Sequence, residues 1–203
     1  MIRPILVWGT KGTCCSMLIW IIKKLSDPEY FVENPINASG AAHNQPMPEH
    51  WYGNTLLEDV INGSDIPLFE RVYHCEPTSV TWTQGLEYKS IAVHATTRKE
   101  LQQIAVFQKY KNYDHLNTPL DIGIRDLYRV VESNSYVRQP KPGALNFTVG
   151  DINNKDIHPV LEQICKYLEI PVNAKSIDII TKVHSLWVDG NNNLLNKHLH
   201  KLL

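Results

Sequence analysis

The chain has no CxxC pair, no Cys/His spacing suited to a metal and no apolar run long enough to cross a bilayer. Its four cysteines are Cys14, Cys15, Cys75 and Cys165. Cys14 and Cys15 are neighbours that a helix cannot easily close into a disulfide, so reduced thiols are expected and a metal site is not. The longest apolar run, Cys14 to Ile22, is too short for the hydrocarbon layer and ends at Lys23-Lys24. The N-terminal residues lack the basic region, apolar core and small-residue cleavage site of a secretory signal. A cytoplasmic protein without stable membrane insertion is the expectation. An excess of either charge is missing too: the formal charge is −1, which argues against a surface given over to nucleic acid and still allows a local basic pocket. With 43% apolar and 20% charged residues the chain is neither disordered nor fibrous, and it carries no repeat or low-complexity tract. Its 203 residues suit one domain, 1–203, and nothing in them fixes an oligomeric state.

Four short, largely apolar segments read as buried strands: Pro4 to Trp8, Phe69 to His74, Ser90 to His94 and Leu145 to Val149. Helical spacing covers Cys14 to Leu25, Thr55 to Asn62, Arg98 to Lys111, Leu120 to Glu132, His158 to Leu168, Ser176 to His184 and Leu194 to Leu202. Strands alternating with helices predict an α/β fold, a three-layer sandwich whose central parallel sheet of about four to five strands is flanked by helices. Asp27 to Tyr52 is different. Pro28, Pro35, Pro46 and Pro48 predict an irregular insertion there, a candidate lid over an acceptor site with Trp51 and Tyr52 at its end. A second irregular stretch, Ser133 to Gly143, carries Arg138 and Lys141.

The segment Gly9-Thr10-Lys11-Gly12-Thr13-Cys14-Cys15-Ser16 joins the first strand to the first helix. A helix starting there presents unpaired N–H groups and the positive end of its dipole, which suits an anion. The glycines let the backbone curl, Lys11 adds a full charge, and the Thr13 and Ser16 hydroxyls are further donors. The bland alternative is a tight strand-to-helix turn with a solvated Lys11. The order departs from G-x-x-x-x-G-K-[ST], because the lysine precedes the last glycine.

That loop resembles the 5′-phosphosulfate loop of the sulfotransferases that use 3′-phosphoadenosine 5′-phosphosulfate (PAPS), written P-K-S-G-T-T before an apolar helix. Lys11, Gly12 and Thr13 stand for its lysine, glycine and first threonine, with one residue fewer between lysine and glycine, and Cys14 replaces the second threonine. Val72-Tyr73-His74-Cys75-Glu76-Pro77 is similar to the strand ending K-T-H-x-P, and Lys89 to His94 with Thr96-Thr97-Arg98-Lys99-Glu100 to the strand and helix start at the 3′-phosphate. Phe147 to Asp151, then Pro159 to Pro171, resemble the strand, acidic turn and helix ending F-L-G-I-P. The Arg-Asn-Pro element of the 3′-phosphate site is absent: its arginine falls near His94 or Ala95, Gln103 stands near its serine, and Arg98 is the nearest cation. The C-terminal R-K-G-x-x-G-D-W element is absent as well, its region being Trp187 to Asn191.

The resemblance implies a P-loop NTPase-like fold and sulfuryl transfer from PAPS, as co-substrate, to a hydroxyl or amine of a small-molecule or glycan acceptor, without a metal. In that reading Lys11 stabilises the leaving phosphate, Gly9 to Ser16 hold the remaining oxygens, Arg98 and Gln103 stand at the 3′-phosphate, and His74 accepts the acceptor's proton. His94 competes for the base role, and either histidine is equally readable as a structural one bonded to a carbonyl. Arg98 is equally readable as a solvated first-turn residue. His198 and His200, two apart on a helix, do not share a face for a metal. Two other classes remain: a P-loop nucleotide or small-molecule kinase, and a catalytically silent nucleotide-binding module.

Overall fold

The computed structural model describes residues 5–10, 12–29, 72–75, 87–110 and 122–202. Four strands, β1 (Ile5–Trp8), β2 (Val72–Cys75), β3 (Lys89–His94) and β4 (Leu145–Thr148), form one all-parallel sheet in the order β2-β1-β3-β4. Every residue of β1 is buried, as expected where both faces of a parallel strand are covered. Val7 lies between His74 and Ile91, and Trp8 between Cys75 and Ala92. Side chains alternate between faces, so Ile5, Val7, Val72, Ile91, Val93 and Phe147 share one face, and Leu6, Trp8 and Ala92 share the other. The first face belongs to the main core. The second is a smaller cluster, with Tyr88 and Ala144 against it among the described residues.

Helix α1 (Cys15–Ser26) is buried nearly all round, including Lys23 and Lys24, as a central helix requires. The two lysines stand in its last turn, where they complement the dipole, and Lys24 Nζ donates to the Pro28 carbonyl. Helix α2 (Arg98–Tyr110) follows β3, and α3 (Ile124–Ser133) packs along it. One further turn, α4 (Ser135–Arg138), is capped by Asn134 within the stretch expected to be irregular. Its Val137 carbonyl accepts from Ala95 N at 2.7 Å, which ties that turn to the end of β3. β4 stops one residue short of expectation because Thr148 caps α5 (Val149–Ile152). Helix α6 (His158–Leu168) ends at Glu169, which adopts φ 60°. The helix-ending pattern quoted above has glycine at this left-handed position.

The largest difference from expectation is α7 (Ala174–His198), one 25-residue helix where the sequence suggests two. Gly190 and the three asparagines after it favour a break by local propensity. Packing overrides it: Trp187, Val188, Asn191 and Leu195 are buried on one stripe, and Asn191 Nδ2 donates to Asn153 Oδ1 at 2.9 Å. His184 on the same helix bonds the Ile152 carbonyl at 2.7 Å, and burial lowers its pKa. At the far end His198 stacks on Tyr110 with centroids 3.7 Å apart, a packing role. The expected helix Thr55 to Asn62 and the insertion 27–52 beyond Glu29 lie outside the described residues. No helix among the described residues is long and apolar enough to cross a membrane.

Gly190 sits inside α7 with nothing within 4 Å of where a Cβ would stand. Gly190→Ala is expected to raise stability by about 0.5–1 kcal/mol, the helix-interior cost of glycine. A urea unfolding midpoint that stays put or falls would contradict a continuous helix here.

Candidate functional site

Strand order 2-1-3-4 means the chain leaves β1 to one side for β2 and returns on the other for β3. The β1/β3 boundary is therefore the switch point, and ligands of open parallel sheets lie beyond the carboxyl ends of the strands there. Three helices that directly follow strands begin at this edge among the described residues: α1, α2 and α5.

Two of the three are sealed by their own carboxylates. Glu100 Oε2 accepts from Thr96 N and Thr97 N, both at 2.8 Å, and from their hydroxyls at 3.1 and 3.0 Å. Glu100 Oε1 accepts from Gly150 N of α5 at 2.7 Å, and Glu100 N donates back to Thr97 Oγ1 at 3.2 Å. The same bracket recurs at α5, where Thr148 N donates to Asp151 Oδ2 and Asp151 N to Thr148 Oγ1. Burial alone would raise the Glu100 pKa, but the N–H groups of Thr96, Thr97 and Gly150, with the Thr148 hydroxyl, outweigh it and bring it from 4.5 to about 2.

Helix α1 is built otherwise. It has no acidic residue in its first turn, and Cys14, its N-cap, gives it no side-chain cap. The loop before it contains two left-handed residues, Gly12 at φ 86° and Cys14 at φ 67°. A left-handed residue followed by right-handed ones turns successive N–H groups inward around a concavity that suits an anion. The loop is seated tightly. A Cβ on Gly9 would stand 2.4 Å from both Thr13 Oγ1 and Cys15 Sγ, and one on Gly12 would stand 2.9 Å from the Ile104 carbonyl of α2. Close approach thus requires glycine at both positions.

The expected site residues divide accordingly. Thr13 is fully buried and donates both its N–H (3.2 Å) and its hydroxyl (2.6 Å) to the Thr10 carbonyl. Its proton is therefore committed inside the loop, and the Cys15 thiol, 3.3 Å away, donates to Thr13 Oγ1. The hydroxyl expected at an anion braces the turn in this arrangement. Thr10 Oγ1 is buried without a hydrogen-bond partner. Ser16 is half-buried in the first turn of α1. Lys11 lies outside the described residues.

His74 sits at the register position beside Val7, and its Nε2 is 2.9 Å from the Gly9 carbonyl. A carbonyl only accepts, so Nε2 carries the proton and steadies the loop. His94 caps β3 on the opposite face of the sheet, buried, with Nδ1 lacking a hydrogen-bond partner. The two histidines therefore do not converge on one substrate atom. Arg98 is exposed; burial and the Glu132 carboxylate raise the pKa of the Tyr128 phenol on α3, and the Arg98 charge opposes them. Gln103 is buried on α2, and its Nε2 has no hydrogen-bond partner. No group of three His, Cys, Asp or Glu side chains suited to a metal occurs among the described residues.

Glu100 and Asp151 were not expected as caps, though the spacing Thr97-x-x-Glu100 and Thr148-x-x-Asp151 is the capping-box signature. No family model, curated protein or solved structure matches the chain.

Glu100→Gln keeps the shape and removes the charge that the Thr96, Thr97 and Gly150 N–H groups answer. It is expected to cost about 2 kcal/mol near neutral pH, the scale of hydrogen bonds to a charged group. Because the folded pKa lies below 4.5, the wild-type advantage should be full above that pH and fade as pH falls toward about 2. Denaturant midpoints of both forms across that window test this, and a pH-independent gap would contradict it.

Proposed function

We propose that the β1–α1 loop receives the 5′-phosphosulfate end of a nucleotide donor, and that the chain is a sulfotransferase-like enzyme. It would move a sulfuryl group from PAPS to a hydroxyl or amine of a small-molecule or glycan acceptor. The supporting observation is the difference between the three helix starts: α2 and α5 carry their own carboxylates, whereas α1 follows a loop with two left-handed residues and has no acid in its first turn. An anion arriving at this edge meets attraction at α1 and repulsion at the other two. The resemblance of the loop and the downstream segments to PAPS-dependent enzymes supplies the reaction class, and a P-loop-like three-layer arrangement is part of the same reading.

In the transfer, the acceptor oxygen or nitrogen forms a bond to sulfur as the bond from sulfur to the bridging phosphate oxygen breaks. The acceptor's proton goes to a base, and adenosine 3′,5′-bisphosphate leaves. First-turn N–H groups of α1 hold peripheral oxygens, and Lys11 neutralises the leaving phosphate. His74 positions the loop through Nε2, so a base role for it would use Nδ1.

A second reading, a silent nucleotide-binding module, is favoured by Glu100. Its ionised carboxylate already answers the Thr96 and Thr97 amides, near where the family resemblance would have a 3′-phosphate. Thermal shift separates the readings. Adenosine 3′,5′-bisphosphate should raise Tm without metal, and more than adenosine 5′-monophosphate does. Equal shifts favour the module, and a shift only with ATP and magnesium favours a kinase. Lys11→Ala should leave the unliganded Tm unchanged and weaken the bisphosphate about tenfold or more, roughly 1.4 kcal/mol. Undiminished binding and transfer by that variant would overturn the assignment.

A further inference from the structure

The second face of the sheet holds a cluster that this function does not use. Register sets Trp8 of β1, Ala92 of β3 and Asn146 of β4 in one row, with a single methyl between indole and amide. Asn146 straps the loop before β4: its Oδ1 accepts from Lys141 N at 2.8 Å, and its Nδ2 donates to the carbonyls of Lys141 (3.0 Å) and Ala144 (2.8 Å). The strap brings Lys141 Nζ to 3.8 Å from the centre of the Trp8 ring. His94, two residues beyond Ala92, shares that face about 7 Å nearer the carboxyl edge.

Attraction between the ammonium and the ring accounts for Lys141 alone. It does not account for its neighbours. Trp8 is 3% exposed and His94 8%, and Trp8 Nε1 and His94 Nδ1 have no hydrogen-bond partner. An indole N–H only donates, and a buried donor left unanswered is unfavourable. Trp8, Lys141 and the Nδ1–H form of His94 all offer protons, and Lys141 forms no ion pair among the described residues. An acceptor with negative charge would answer each of them.

We infer that Trp8, His94 and Lys141 form a second anion site, on the sheet face opposite His74, for the carboxylate, sulfate or phosphate group of a small molecule. The half-buried Lys141 is its entrance. The site stands on groups separate from the start of α1 and holds whether or not that helix binds a nucleotide.

The test is the indole N–H resonance of Trp8 in a 15N spectrum of the full chain, assigned by triple resonance or by its loss in Trp8→Phe. Acetate, inorganic sulfate and inorganic phosphate are titrated separately against chloride at constant ionic strength. The expected result is a saturable shift of Trp8, with the Trp187 indole unmoved, for at least one oxyanion; which one responds separates a carboxylate ligand from a sulfate or phosphate. Lys141→Ala, a change at a half-buried side chain, should weaken that response about tenfold or more, with Lys141→Arg restoring it. Two results would overturn the inference: no shift of Trp8 with any of the three ions, or an undiminished shift in Lys141→Ala. The Cys15 to Met17 amides in the same spectra report on α1 separately, so failure at one site is distinguishable from failure at the other.

Discussion

The carboxylate of Glu100 organises the edge of the sheet where this chain's chemistry would lie. One buried anion accepts from the backbone after β3 and from the first turn after β4, so it fastens two helix starts to each other across two parallel strands. The fit leaves no spare room, since a Cβ on Gly150 would stand 2.7 Å from Glu100 Oε1. A charge held this way lowers its own pKa, rigidifies the edge and repels any other anion from those amides. An anion site at α1, as proposed, follows from that constraint as much as from the loop itself.

The two faces of the sheet divide the remaining groups. His74 on one face donates to the carbonyl of Gly9 and so links β2 to the loop leaving β1. His94 on the other face lies with Trp8 and Lys141. A single β1 strand thus carries a clamped loop at its end, with a polar cluster on the face away from the main core. Two negative groups bound on either side of that strand would be separated by the sheet itself.

Much of the architecture was legible in the sequence because it is local. Short apolar runs marked the four strands among the described residues, and helical spacing found α1, α2 and α6 to within a residue or two at their described ends. The tight turn was legible too, since glycine is needed where the Thr13 and Cys15 side chains press on Gly9 and the Ile104 carbonyl presses on Gly12. What escaped depends on partners distant in the chain. Gly190 and its asparagines predict a break until Asn153 and the core are seen to hold Asn191 and Trp187. Glu100 reads as a first-turn acid until Gly150, 50 residues on, is found at its other oxygen. Lys141 looks like a loop cation until β4 pairs with β3 and brings Asn146 level with Trp8.

On the proposed function, an anion at this edge goes to the start of α1 because the starts of α2 and α5 are already closed by carboxylates. Backbone amide shifts on adding adenosine 3′,5′-bisphosphate test it most directly. The Gly12 and Cys14 to Met17 amides should move, with Thr96, Thr97 and Gly150 unmoved. Movement of Thr96, Thr97 and Gly150, with the α1 amides silent, would contradict it.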